Sequence, residues 1–436
     1  MNRNYFLLVS LTVLIIFISA VSVINAQDST SVLKQIDELK SRLDSLEALI
    51  KNIDIDSLKN TIDAGQLKKS STDSVKAGDL LSEITTFFSF NEQEQSSKRK
   101  RIDELLQELR SQPGILNFNG DLTSILHLNT GEEKFTTGSG SFDLFMFVNF
   151  GENINLFVDV EAIGGDGPDK QIQSFSNLNG DAGSLQNLDG SDILHVLEAW
   201  IDIKLLDDWV QVTAGKIDLT NYFDINSAAN DETMQFISGS FINSSAFPVP
   251  SNSPGLRALV NFKNVFRFQI GLVSADNSGD DLFDELFKIV GTELDTDFGK
   301  GFYGNIHFYA YKDGTVKDAT GYGFSLAGMV ADQFKLFGRW NENNLNYAQL
   351  HPIRKAVSIG AEFDFSLLEK NFLLGAAYGI NEPFDGSLKN ENILEAFLRC
   401  QLNEWIYLSP HVQILNNAFG QADNYFLTAF RTQINF

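Results

Sequence analysis

The chain has 436 residues, 43% hydrophobic and 21% charged, with 33 glycines against 8 prolines. That balance fits one large folded domain plus an appendage and excludes a disordered polymer. Asp and Glu total 57 against 33 Lys and Arg, a net charge of -24. This argues against nucleic acid or anionic lipid as partners held by a general field, and the single cysteine, Cys400, excludes an intramolecular disulfide or a cysteine zinc cluster.

Residues 1–26, MNRNYFLLVSLTVLIIFISAVSVINA, place Arg3 before an apolar run and end on Ala26, which reads as a secretory signal peptide. The rival reading is an uncleaved anchor, because the run approaches the ~20 residues of a membrane-spanning helix. Both place the rest of the chain outside the cytoplasm, and no later run has that length, which excludes a helical membrane protein. Residues 27–60 carry apolar positions at Val32, Ile36, Leu39, Leu43, Leu46, Ile50 and Ile53, the alternating spacing of a coiled-coil seam. Its a/d mix suits a homotrimer or higher state at least as well as a dimer; the alternative is a short amphipathic helix packed on its own chain. Residues 61–113 read as a linker, AGQLKKSSTDSVKAGD lacking any period, followed by an amphipathic helix at RIDELLQELR. Ile102, Leu105, Leu106 and Leu109 share one face before Pro113 and Gly114 stop it.

From 114 to 436 the period becomes two. Segments near ten residues alternate apolar with polar, as in INLFVDVEAIG, HVLEAWIDIKL, FRFQIGL, FKLFGRW and IYLSPHVQIL. These run near the 9–11 residues of a tilted membrane strand and exceed the usual sandwich strand. Short turns at 151–153, 207–208, 263–264, 331–333, 369–370 and 403–404 alternate with long polar loops. About fifteen strands are visible, but the parity of short and long connections fails between Ala275 and Gly301. One more strand there gives an all-β transmembrane barrel of about 16 antiparallel strands, preceded by the α-helical coiled-coil segment. The N-terminal segment and the C-terminus then share the periplasmic side of an outer membrane. The last strand, YFLTAFRTQINF, stops on an aromatic, Phe436, in the manner of an outer-membrane assembly signal.

In this topology residues 218–254 form one of the longest outward loops, joining acids and amides to aromatics: Asp218, Tyr222, Phe223, Asp224, Asn226, Asn230, Asp231 and Glu232. A loop folded into the lumen needs polar groups toward solute and aromatics against the wall. A surface loop packed on itself, with Asp224 and Asn226 as turn formers, is the plainer alternative. Alternation adds Glu198, Trp200, Asp202, Arg257, Arg267, Tyr309, Arg339 and Arg431 as lumen candidates; each also fits ion pairing within the wall.

Here a family resemblance enters. HVLEAWIDIKL, WVQVTAGKIDLTNYFDINSAANDETMQFISGSF and PGLRALV are similar to the carbohydrate-selective porins of the OprB type. The matching positions are Glu198–Ala199, Gly215–Lys216, Asp218, Phe223, Asp224, Asn226, the run Ala229 to Glu232, and Gln235–Phe236. Trp405, Ser409, Pro410, Gln413, Arg431 and Phe436 resemble the family's closing pattern. The resemblance spans roughly 115–436. It implies diffusion of sugars and other small hydrophilic solutes through a water-filled barrel constricted by loop 218–254, with Lys216 among the pore-lining residues and no cofactor. The alternative function is an anchor that tethers the outer membrane to the cell wall through its periplasmic coiled coil, with general pore activity. An enzyme is disfavoured: the five histidines occur without a Gly-x-Ser-x-Gly or His-Glu-x-x-His motif. The acidic pieces SADNSGDDLFDE and GTELDTDFG lack EF-hand spacing and read as solvated loop surface, with weak calcium binding as the alternative.

Overall fold

The structure, a computed structural model, describes residues 116–131, 134–151, 153–181, 191–206, 208–262, 266–275, 285–299, 302–331, 333–368 and 370–436. The expected signal peptide, coiled coil and linker helix lie outside these residues. Sixteen strands close into one antiparallel barrel in which every strand pairs with its sequence neighbours. They are β1 (Leu116–Asn129), β2 (Phe135–Asn149), β3 (Ile154–Gly165), β4 (Ile193–Leu205), β5 (Val210–Ile217), β6 (Ser253–Phe262), β7 (Phe266–Ser274) and β8 (Leu286–Gly299). The second half comprises β9 (Phe302–Lys312), β10 (Thr320–Ala331), β11 (Phe334–Asn343), β12 (Ile353–Leu367), β13 (Lys370–Pro383), β14 (Glu391–Gln401), β15 (Ile406–Asn416) and β16 (Asn424–Asn435).

The strand required by parity is β8. Its segment GTELDTDFG is barrel wall rather than acidic loop: Glu293 and Asp295 face inward and are paired by Arg267 of β7. Lumen-facing carboxylates break the apolar rhythm, which is why this strand resembles a loop in the sequence.

Large apolar side chains stand on the outer face, Leu194 at 76% exposure and Ile359 at 58% among them, while Asp143, Glu198, Arg339 and Arg431 are buried inside. Water would oppose this inside-out arrangement, whereas hydrocarbon around a closed barrel favours it, because closure leaves no unpaired strand edge. Aromatics gather near the short-turn end, with Trp209 at 6.0 Å from Phe262, and Phe365 at 5.7 Å from Phe363 and 5.3 Å from Phe372. Such rings suit the boundary between headgroups and hydrocarbon.

Closure depends on the chain end. β1 pairs with β16 from Asp121↔Asn435 to Asn129↔Leu427, and Phe436 and Gly120 exchange two backbone hydrogen bonds of 2.9 Å. The Phe436 ring lies over Gly120, where a Cβ would come within 2.9 Å of the ring and 2.5 Å of the Asp143 carbonyl, and it stacks on Phe142 at 5.9 Å. Only glycine leaves room for that ring over the seam.

Candidate pore constriction

Strand alternation turns one face of each strand inward, and the register aligns inward side chains into rows across neighbouring strands. One row runs Arg267, Glu293, His307, Ser325, Arg339 along β7 to β11. Another runs Asp121, Asp143, Glu161, His195 along β1 to β4. The connection 218–252 is folded into this lumen: nearly all of residues 219 to 242 are buried, with short helices α1 (Thr220–Phe223) and α2 (Gly239–Ile242) inside it.

Aromatics seat the loop where the wall has glycines. A Cβ on Gly271 or Gly291 would lie 3.1 Å or 2.7 Å from the Phe223 ring, and one on Gly379 would lie 3.3 Å from Phe241. Phe236 packs against Phe241, Phe337 and Phe397 with centroids 5.2, 5.7 and 5.0 Å away. The lumen side is therefore filled rather than lined at these points.

Polar groups complete the attachment, since buried backbone donors and acceptors need partners. Arg339 donates from Nε to Asp224 Oδ1 at 3.2 Å, and its other nitrogens reach the Asp224 carbonyl at 3.1 Å, Asn230 Oδ1 at 3.0 Å and the Phe241 carbonyl. Asp224 also accepts from Tyr309 at 3.3 Å and the Ser244 amide at 2.7 Å. Burial pushes the Asp224 carboxyl up, against the pull of Arg339 and these donors. Arg431 donates to the Glu232 and Gln235 carbonyls at 2.8 Å each, and Arg399 to the Met234 carbonyl at 2.6 Å. Glu395 accepts the Ile237 and Ser238 amides at 2.7 and 2.9 Å while His411 and Gln413 hold it from behind.

The remaining predicted residues take defined places. Asn226 bridges to Ser325 and the Leu326 carbonyl, each at 3.0 Å, and its amide donates to Asn230 Oδ1. Asp231 caps a turn through Thr233 and Met234, and Asp218 does so through Thr220. Glu198 accepts from Trp200 Nε1 at 3.1 Å, the Asp218 amide at 3.2 Å and Asn221 at 3.1 Å, which fixes the start of the loop. Asp202 accepts from Gln211 and Thr213 within the wall. Arg257 donates to Gln269 Oε1 at 2.8 Å and covers one face of the Tyr222 ring at 4.2 Å. Lys216 departs from its expected place: it pairs with Ala199 on the opposite face of β5 from the inward Thr213, and its ammonium donates to the Val196 carbonyl. Strand parity, which separates Lys216 from Thr213 by three residues, explains the difference.

Sequence reasoning missed a second inserted loop. Residues 166–181 join loop 218–252 through backbone bonds, Gly180 to the Ile237 carbonyl and Gly239 to the Asn177 carbonyl, both 2.8 Å. Glu391 secures it at the Phe175 amide and Ser176 hydroxyl, and Asp169 at the Leu178 and Asn179 amides. Asp181 accepts from Ser141 at 2.7 Å; burial first, then Glu232, pushes its carboxyl up to about 8. The available signal was Glu391, an acid at an inward position of β14 in addition to those that hold loop 218–252.

No protein-family model matches the chain. A protein of Aquifex aeolicus (strain VF5), described only as uncharacterized, is 24% identical over 223 residues, 51% of this chain and 64% of that relative's length. Among solved structures, the high-pH structure of Pseudomonas putida OprB superimposes with a TM-score of 0.61 at 13% identity, covering 76% of this chain and 96% of that one. A loop L8 deletion mutant of OmpT, an outer membrane protein of Vibrio cholerae, gives 0.48 at 11% identity over 74% of this chain and 99% of that one. The described barrel therefore has the fold of Pseudomonas putida OprB.

Proposed function

We propose that this chain is an outer-membrane porin that passes small hydrophilic solutes, with sugars as the preferred class. The observation that carries the reading is a closed barrel, apolar outside and charged inside, with a long loop bound against its inner wall. Such a loop narrows a channel without blocking access to the wall beside it. The sugar preference rests on the OprB-type residues around 196–257 and on lumen groups suited to hydroxyls, among them Glu161 paired with His195 at 2.8 Å and the partly exposed Glu232. The short turns face the periplasm in this reading.

Single-channel conductance of the refolded chain in a planar bilayer, titrated with glucose and maltooligosaccharides, tests it. Saturable block by sugar is the expected result, and it weakens in Arg257→Ala and Trp200→Ala while barrel melting moves little. Conductance without block reduces the protein to a general pore, and absence of conductance overturns the porin reading.

A further inference from the structure

We propose that the outer face of β8 and β9, at the long-loop end, seats the phosphate headgroup of a membrane lipid on the pair Lys288 and Lys312, with the lipid chains lying along the aromatic tier beneath. The inference rests on the membrane-spanning barrel, not on conduction or the sugar preference. Phe287 and Ile289 of β8 and Tyr311 of β9 are at most 1% exposed on the inner side, so strand alternation turns Lys288 and Lys312 outward. The two lysines stand directly opposite each other across the strand pair. Like charges in that position repel and cost stability, which favours an anion beside them.

A nearby sector of the same rim balances its own outward charge. On β11 to β13, Arg354 pairs with Glu342 at 2.8 Å and with Glu382, and Lys355 pairs with Glu382 at 3.0 Å, two bases against two acids. On β8 and β9 the bases are in excess. Lys312 lies 3.3 Å from Asp318, while Lys288 makes no ion pair among the described residues. The net charge of -24 repels anionic lipid at long range, so the attraction has to come from this local excess.

Beneath the pair the outer wall has the chemical order of a lipid. The first tier toward the short turns is Val290, Ala310 and Tyr322, in register across β8 to β10. The next is Thr292, Phe308, Phe324 and Trp340, with Phe308 and Phe324 stacked at 5.7 Å and Tyr322 edge-on to Trp340 at 5.1 Å. Phe308 is 54% exposed and Tyr322 52%. Lys312 and Phe308 lie about 13 Å apart along the strand. Lysine stems lying on an apolar wall carry their ammonium groups at headgroup level, and aromatic rings occupy the boundary with hydrocarbon. Two ammonium charges converging on one position suit a phosphate monoester better than a zwitterionic headgroup.

The test is lipid retention by the refolded full-length chain in detergent micelles, read by native mass spectrometry, with lipid A as the probe and lipid A stripped of its phosphates as the control. The parent is expected to retain lipid A about tenfold better than the stripped form, and Lys288→Gln with Lys312→Gln to lose that preference. The double variant still folds, because removing two like charges from adjacent strands relieves repulsion, and its melting temperature stays level or rises. Lys216→Gln, which removes another outward lysine at the long-loop end, keeps the preference. Equal retention of the two lipids by the parent overturns the proposal in favour of an apolar belt alone. A preference that survives in the double variant also overturns it, and is the result expected if Asp280, Asp281 and Asp284 of the preceding segment neutralise the pair. Inorganic phosphate that displaces lipid A overturns the lipid as occupant and leaves a site for soluble anions. Phosphate-dependent retention in a chain that conducts no ions supports the lipid site and rejects the porin reading instead.

Discussion

Two stretches of the inner wall use charge in opposite ways. From β11 to β16, Arg339, Arg399 and Arg431 reach into loop 218–252 and donate to its carbonyls, and Glu395 accepts its amides. From β1 to β3, Asp121, Asp143 and Glu161 stand side by side in one cross-strand row. The first stretch is engaged by a fixed part of the chain; the second is a buried row of carboxylates that ends on His195 of β4, 2.8 Å from Glu161. A lumen rich in arginine can therefore still favour cations, because an arginine that caps a carbonyl contributes less field to the passage than its count suggests.

The largest effect separating the two stretches is expected at Arg339. Arg339→Met removes the partner of the fully buried Asp224 and leaves several loop acceptors without donors, which weakens the inserted state of the loop by about 3–5 kcal/mol. Single-channel recordings then show larger and noisier conductance, while thermal melting of the barrel changes far less, since the strand ladders remain. Equal losses in both would mean that the loop and barrel fold as one unit. Next in size is the carboxylate row. Asp121→Asn with Asp143→Asn lowers the cation-to-anion permeability ratio about threefold in reversal-potential measurements across a salt gradient. An unchanged ratio would place the selective field elsewhere.

The division between these stretches was only partly legible in the sequence. The barrel was legible because alternation, strand length and the rhythm of short and long connections repeat many times, and that redundancy required β8 although its own residues hid it. Arg267 shows why it was hidden: with Glu293 and Asp295 it makes a neutralised cluster inside the wall, yet in sequence only the acids of β8 are visible locally. Loop 218–252 drew notice through its composition. The role of its acids and amides did not, because whether Asp224 meets solute or Arg339 depends on contacts 115 residues apart. The seats for Phe223 on Gly271 and Gly291 were equally hidden, since an inward glycine in a strand has no side chain to give alternation a sign.

A smaller, pH-dependent effect tests the hinge between the stretches, where Asp181 of loop 166–181 meets Ser141 of β2. Burial and the nearby Glu232 raise its carboxyl from 3.8 to about 8 in the folded protein. The folded state thus holds a proton that an exposed Asp181 would release. Its contribution to loop seating is complete below pH 4, falls as pH rises from there to about 8, and is constant above. Open-channel fluctuations are expected to grow from pH 6 to pH 8.5 and to become flat with pH in Asp181→Asn.

The smallest effect is expected at Lys216, and it discriminates between readings because the OprB-type pattern includes that lysine among pore-lining residues. In the structure its ammonium donates to the Val196 carbonyl on the face of β5 turned away from Thr213. A cation there is separated from the lumen by the sheet itself, so it adds little to the field felt by a solute, and an exposed bond of this kind adds only about 0.5 kcal/mol or less to stability. Lys216→Met should leave conductance, sugar block and ion preference within error of the parent, in contrast to Arg257→Ala a few residues along the same barrel wall. If Lys216→Met altered sugar block as strongly as Arg257→Ala, the lysine would have to reach the solute over the rim of the loop end, and the lumen would begin further out than the β5 register places it.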